Sequence, residues 1–471
     1  MRRSDMLRFI PTLLFLVMLS GCMIGPDYRR PAIDIPKSWR IDETEARDTV
    51  NTLWWKQFGD SVLDELITIA IRENKDIKAA TYRVEEFRGK YIVARVPLFP
   101  NVSGDLSIEQ NRLTERGQTP LTAQVDNPAT IYGASLNAAW ELDLWGQLRR
   151  ATEAARAELL STEEARKTVV LTLVASVAGA YINLRDLDRQ LEIAQETAKT
   201  REEYYRVFTL RFQAGYVSEL ELSQVKSQYE QALAIIPAVE KAIAQQEDAL
   251  SILLGRNPGS IPRGKGIDQL TLPAVPSGLP SDLLDRRPDI RQAEQELVAA
   301  NARIGAAKAQ YFPSISLTGM FGWSSIQLSN LFIGPARAWN WTVPVTAPIF
   351  TGGAISGQVK TAEAIQQQAL VRYQQSIQDA FREVNDALVD QKRSREQLEA
   401  QGRQAEALRA YAWAARQRYN IGYTSYIEVL DADRSLFDAE LSYTATRGAL
   451  FNALVALYKA MGGGWVVTLN E

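Results

Sequence analysis

Two hydrophobic periods alternate along the chain. From Gln147 to Phe212 apolar residues recur every three or four positions, as in Leu171, Val174, Ala178, Tyr181, Leu184 and Leu187, and no proline interrupts them. That pattern predicts an amphipathic helix, and at 1.5 Å per residue the run can extend about 100 Å. The stretch 353–419 reads the same way, and shorter helical runs are predicted over 62–96, 218–254, 284–310 and 426–461. Between them the period drops to two. Tyr132, Ala134, Leu136, Ala138, Trp140, Leu142 and Leu144 share one face, with Ser135, Asn137, Glu141 and Asp143 opposite. Val102, Leu106 and Ile108 alternate with Ser103, Asp105, Ser107 and Glu109; Ile315, Leu317, Phe321 and Trp323 with Ser314, Ser316 and Thr318; and Trp339, Trp341, Val343, Val345 and Ile349 with Asn340, Thr342 and Thr346. Strands are therefore predicted at about 101–112, 131–144, 313–323 and 339–350. A membrane barrel strand alternates in this way over about ten residues, and so does a half-buried strand of a soluble sandwich. Trp140, Trp145, Trp323, Trp339 and Trp341 near the strand ends suit an interfacial aromatic girdle.

The elements repeat. Asp76-Ile77 through Pro100-Asn101-Val102-Ser103 aligns on Asp289-Ile290 through Pro313-Ser314-Ile315-Ser316 at an offset of 213. Arg211 through Ser218 aligns on Arg418 through Ser425 at an offset of 207, which holds to Gly255 and Gly462. The chain is thus two copies of one plan. The first repeat spans 62–270 and the second 284–465, joined by a linker at 271–283 and followed by a tail at 466–471. Four strands cannot close a membrane barrel, since single-chain bacterial barrels start at eight. An open edge in lipid leaves backbone groups unpaired at several kcal/mol each. Copies of the chain must therefore pool strands, and three copies, giving twelve, leave room for a water-filled bore.

Composition removes other chemistries. The 471 residues include no histidine and one cysteine, with Lys+Arg 53 against Asp+Glu 56. No Ser-His-Asp or Cys-His pair and no His-ligated zinc site is available, nor any intramolecular disulfide. A formal charge of -3 gives no basic footprint for nucleic acid. No metal-ligand cluster or phosphate-binding glycine loop raises an enzyme reading.

The single cysteine has a purpose in view. Arg2 and Arg3 precede a short apolar stretch ending in Leu19-Ser20-Gly21-Cys22, a signal peptide over 1–21 with a lipoprotein cleavage box. Cys22 then begins the mature chain and carries covalent lipid, and two or three acyl chains anchor far more firmly than one. The segment 22–61 follows as an extended lipidated lead-in. No other cofactor is expected, and Met23 in place of aspartate argues for the outer membrane by analogy with enteric lipoproteins.

These features together resemble the outer-membrane factor family, the TolC-like exit ducts of tripartite efflux pumps, in its lipid-anchored NodT-type branch. The resemblance rests on Cys22 with Gly25-Pro26-Asp27-Tyr28, Trp54-Trp55 with Phe58-Gly59-Asp60, Arg286-Arg287-Pro288-Asp289-Ile290, Tyr311-Phe312-Pro313, and Arg418-Tyr419 through Gly422 to Val429-Leu430-Asp431-Ala432. It implies a mainly α fold with membrane β: a homotrimer with a twelve-stranded outer-membrane barrel continued by a periplasmic helical barrel. It also implies a periplasmic adaptor and an inner-membrane pump of the resistance-nodulation-division type as partners, and passive export of small molecules such as drugs.

Two turns carry the expected function. Gly215 and Gly422 suit the left-handed position that ends a helix, and Ser218–Glu221 and Ser425–Glu428 each read as a capping box. The resemblance places a periplasmic gate here, with Glu428, Asp431 and Asp433 as candidate acids and Tyr419 and Arg434 as candidate links. Glu428 has an equivalent in Glu221, whereas Asp431 and Asp433 correspond to Gln224 and Lys226, so helix geometry does not require an acid at either. Asp431 therefore ranks above Asp433 and Glu428 as the constriction acid; a ring of carboxylates attracts cations and slows anions. Gly215, Tyr216, Val217, Ser218, Gly422, Tyr423, Thr424 and Ser425 are the candidates for adaptor docking. Two rivals remain: a lipoprotein adaptor, which would need β-rich halves flanking one helical hairpin, and a lipid-anchored enzyme using carboxylates such as Glu141 and Asp143.

Overall fold

The computed structural model describes residues 23–33, 36, 39, 53–114, 116, 126–275 and 280–463. The signal peptide, Cys22, residues 40–52, part of the linker and the tail beyond 463 lie outside them.

The helices and strands form two matched series. After a 3-10 turn at Trp54–Phe58 come α1 (Ser61–Glu73), α2 (Lys75–Arg95), β1 (Asn101–Asn111), β2 (Ala129–Leu142), α3 (Gln147–Gln213) and α4 (Glu219–Leu253). The second series is α5 (Pro288–Ala309), β3 (Ser314–Ser325), β4 (Arg337–Thr342), β5 (Val345–Thr346), α6 (Ala354–Asn420) and α7 (Tyr426–Ala460). Both long helices have 67 residues and both return helices 35, with every boundary offset by 207. The offset of 213 holds from the start of α2 to β1, so the six-residue difference falls in the hairpin loops, 112–128 against 326–336.

Three expected elements are broken, each for a local reason. The helix expected over 62–96 is two helices, because the Asn74 side chain accepts from the Asp76 and Ile77 amides and starts α2 afresh. The strand expected to reach 350 stops at Thr342 and resumes only at β5, because Pro344 has no N–H for the ladder. The helix expected at 284 begins instead with a turn at Leu283–Arg286, after which Pro288 takes the first position of α5, where a missing N–H costs nothing.

The chain divides into two compact units. One comprises residues to 32, 83–162 and 292–373; the other 33–82, 163–291 and 374–471. The first holds an antiparallel sheet in the order β1-β2-β3-β4, with β5 also on β3. Its register lines up the faces. Leu106 lies opposite Ala134, Leu136 opposite Phe321, Ala134 opposite Trp323, and Phe321 opposite Trp339, so one apolar face crosses all four strands. Asp105 lies opposite Ser135, and its carboxylate accepts from the Asn137 amide at 2.6 Å on the other face. Leu106 is 85% exposed, and Ile108, Trp339 and Trp341 are exposed with it.

The second unit has its core where Trp54, Trp55 and Phe58 meet Val174, Val177, Ala178, Tyr181 and Ile182 of α3 and Phe451, Val455 and Tyr458 of α7. Trp54 stacks on Tyr458 at 5.1 Å. The apolar stretch 169–184 makes α3 the one described helix with a window long and apolar enough to cross a membrane. Its burial in this core accounts for that composition.

Candidate functional site

The turns of the second unit follow one plan. At the end of α3 the Gly215 amide donates to Phe212 O and the Tyr216 amide to Arg211 O; at the end of α6 the Gly422 amide donates to Tyr419 O and the Tyr423 amide to Arg418 O. These are paired Schellman closures, and they require the left-handed backbone that Gly215 (φ 77) and Gly422 (φ 76) adopt. Tyr216 and Tyr423, one residue on, are 82% and 77% exposed. Ser218, Ser425 and both glycines are exposed as well, while Val217 is partly buried against the apolar cluster that includes Phe208 and Val225.

The two restarts differ. Ser218 forms the expected box: its hydroxyl accepts from the Glu221 amide at 3.3 Å and the Glu221 carboxylate accepts from the Ser218 amide at 2.8 Å. Ser425 makes no side-chain cap. The expected second capping box is therefore corrected. Tyr426, where the first repeat has Glu219, is pulled into an aromatic core instead, 4.3 Å from Phe208 and 5.0 Å from Tyr419. Burial and neighbouring phenols push the Tyr426 hydroxyl well above its ordinary pKa. With its capping role gone, Glu428 is again a partly exposed acid three residues before Asp431, on the same helical face.

The candidate acids sort by environment. Asp431 is half exposed and pairs with Arg434 one turn on, at 3.0 Å. Asp433 is 16% exposed and pairs with Arg416 of α6 at 2.7 Å. Burial raises its pKa, against the opposing pull of Arg416 and Arg201. Arg416, more exposed, is shifted up, its own burial cost being outweighed by the carboxylate. The pair thus favours the arginine more than the acid, because the acid is the more deeply buried partner. Tyr419 does not reach Asp431: its hydroxyl accepts from Arg211 Nη1 of α3 at 2.9 Å. The sequence reading missed Arg211, Arg416 and Arg201. A usable signal was present, since Arg409–Glu440 (2.9 Å) sits seven residues further from the turn on each arm than Arg416–Asp433.

The other candidate site is the lead-in after Cys22, itself outside the described residues. The Ile24 amide donates to Trp145 O, and Asn301 Nδ2 donates to Pro26 O at 2.8 Å. Arg150, 2% exposed, reaches Asp27 at 2.6 Å, and Arg30 and Tyr28 converge on Glu294. A side chain at Gly25 would collide with the backbone of Gly305. Residues 24–30 are thereby seated on the first turns of α3 and on α5, next to the feet of β2 and β3, where Trp145 donates to Pro313 O at 2.7 Å. Among the described residues no group of three or more acid, histidine or cysteine side chains is placed to hold a metal.

Comparison with known proteins agrees with this architecture. The family described as outer membrane efflux protein matches residues 66–256 and again 279–463, once in each repeat. The toluene efflux pump outer membrane protein TtgC of Pseudomonas putida is 36% identical over 460 residues, covering 95% of this chain and 94% of the relative. The cation efflux system protein CusC of Escherichia coli K12 is 36% identical over 452 residues, covering 95% and 97%. The crystal structure of the Campylobacter jejuni CmeC outer membrane channel superposes with a TM-score of 0.88 at 26% identity, covering 94% of this chain and 95% of that one. With the same family matched in both repeats and relatives aligned over nearly their full lengths, the chain belongs to the outer membrane efflux protein family and is the outer-membrane exit duct of an efflux system.

Proposed function

We propose that three copies close a twelve-stranded barrel by pairing β1 of one copy with β4 of the next, and that the helices continue the duct into the periplasm. The observation that carries this reading is a sheet ordered β1-β2-β3-β4, with β5 also on β3, whose outer edges on β1 and β4 have no strand partner among the described residues, and which shows a continuous exposed apolar face. Neither edge is tolerable in lipid unless another strand covers it. Such a duct conducts and breaks no bond, so it works as a transport component without catalytic residues. Lipid on Cys22 would anchor it, and the seat of residues 24–30 beside the strand feet supports that role.

The turns are the proposed periplasmic tip, because α3 and α6 each run from a strand at one end to a turn at the other. A periplasmic adaptor would dock on the exposed pair Tyr216 and Tyr423 with Gly215, Ser218, Gly422 and Ser425, and would link the duct to an inner-membrane pump of the resistance-nodulation-division type. Val217 contributes packing rather than contact. The names of the relatives point to toluene for one and cations for another, at equal identity to this chain. That divergence supports leaving cargo choice to the pump.

At the tip Asp431 is the proposed gate acid, with Glu428 beside it and Arg434 as its resting partner; three copies would present a ring of carboxylates to the bore. Asp433, held by Arg416, serves the helix pair instead. Asp431→Ala is expected to reduce cation preference and raise conductance in planar bilayers, and an unchanged channel would remove Asp431 from the gate.

A further inference from the structure

The hairpin loop between β3 and β4 carries apolar side chains where a loop in water carries polar ones. From Ser324 to Ala336 there is no charged residue, whereas the other hairpin loop, 112–128, holds Arg112, Glu115, Arg116 and Asp126. The β3–β4 loop has a defined shape. The Asn330 amide donates to Gln327 O, the Leu331 amide to Leu328 O and the Ala336 amide to Ile333 O, and the Leu331 side chain is buried. Within that shape Ile326, Leu328, Phe332 and Ile333 are all exposed. Large apolar side chains grouped on a surface in this way mark a place that something covers.

The neighbours of the loop indicate what covers it. The Phe332 ring meets the edge of Trp323 at 5.6 Å, and Trp323 meets Phe321 at 5.3 Å. Phe321 lies opposite Leu136 and Trp339, so the loop continues the apolar face of the sheet and not the face of Asp105 and Asn137. Arg337, exposed, stands opposite Trp323 and therefore on that same face. Aromatic rings with an arginine at their outer margin are the composition of a membrane–water interface, where the rings bury and the guanidinium reaches the headgroups. A loop without charges enters that layer with no charge to desolvate. It also closes the end of the sheet away from the long helices, since α5 enters β3 and α6 follows β5 at the other end.

We propose that this loop is a lipid-binding surface, lying in the interfacial layer of the outer leaflet beside the barrel with Leu328, Phe332 and Ile333 inserted and Arg337 on lipid phosphates. The inference rests on the reading of the apolar sheet face as the lipid face of a barrel.

Leu328→Cys, Phe332→Cys and, on the sheet face, Leu136→Cys, each labelled with a polarity-sensitive fluorophore, test this in the full chain with Cys22 blocked by lipid, reconstituted into vesicles of phosphatidylcholine and phosphatidylglycerol. Nitroxides on the acyl chains are expected to quench all three labels and to remove about half of the loop fluorescence, while aqueous iodide quenches the loop labels weakly. Leu328→Cys keeps the test open if Phe332→Cys folds poorly. Adding Phe332→Ser and Ile333→Ser should shift the label at Leu328→Cys from nitroxide to iodide quenching, and a label that stays with the nitroxide would count against insertion through these side chains. Loop labels reached by iodide and not by nitroxide place the loop in water and overturn the proposal, while quenching at Leu136→Cys leaves the barrel reading standing. Loop labels protected from both quenchers mean that protein covers the loop, at the bore mouth or from a second copy, and overturn it as well. A Leu136→Cys label untouched by the nitroxide overturns the barrel reading and this inference with it.

Discussion

Asn74 and Arg287 occupy equivalent positions, 213 residues apart, and do one job with different chemistry. Asn74 Nδ2 donates to Leu253 O at 2.9 Å, and Arg287 Nη1 donates to Ala460 O at 2.9 Å, so each ties the start of one helix to the last turn of its return helix. Arg287 also pairs with Asp289 and Glu383, which offsets its burial. The reverse case is Ser218 and Ser425, identical residues in equivalent turns of which only the first caps. Ser218→Ala should cost about 1 kcal/mol, read as roughly fivefold faster hydrogen exchange of the first amides of α4, whereas Ser425→Ala should leave α7 nearly unchanged. A Ser-x-x-Glu pattern was legible in both turns. What distinguishes them is Tyr426, packed on Phe208 and Tyr419 where the first repeat has the exposed Glu219, and no local pattern reveals that.

The helices make the same point at larger scale. The return helices match in length, yet five residues of α4 are buried against sixteen of α7. The arms of the second hairpin are joined by Arg416–Asp433 and Arg409–Glu440; the first repeat has Thr209, Lys226, Glu202 and Leu233 in their places. The arms of the second hairpin are therefore tied by ion pairs that the first repeat has no residues to form. Because burial raises the pKa of Asp433 above its unfolded value, the folded state holds this proton over a window where the unfolded chain has lost it. Its contribution to stability is present below the ordinary carboxylate range and is lost as pH rises through the raised value. Asp433→Asn should flatten that part of the melting-temperature profile against pH, and a profile identical to that of the parent chain would contradict the assignment. The acids themselves were visible in the sequence. Their ranking needed the partner across the turn, which sequence spacing alone does not specify.

For the whole molecule the prediction concerns the sheet edges. Cysteines placed in turn at Ser103, Asp105 and Ser107 of β1, each with Asn340→Cys on β4, should give disulfide-linked dimers and trimers in outer membranes for at least one register. Monomers throughout would exclude closure through these edges. The only native cysteine is Cys22, so the background is clean once its sulfur carries lipid.

Alternation and duplication, read from the sequence by themselves, determined the strands, the paired long helices and the offset between repeats, because side-chain period follows directly from backbone geometry. The polar and apolar faces of the sheet followed too, since a period of two leaves a strand only two ways to face. Only the tertiary structure decided which of two similar turns would cap, which acid would be buried and which arginine would pair with it. Those outcomes depend on residues brought together from α3, α6 and α7, and burial sets the cost of a charge by everything packed around it rather than by its neighbours in the chain.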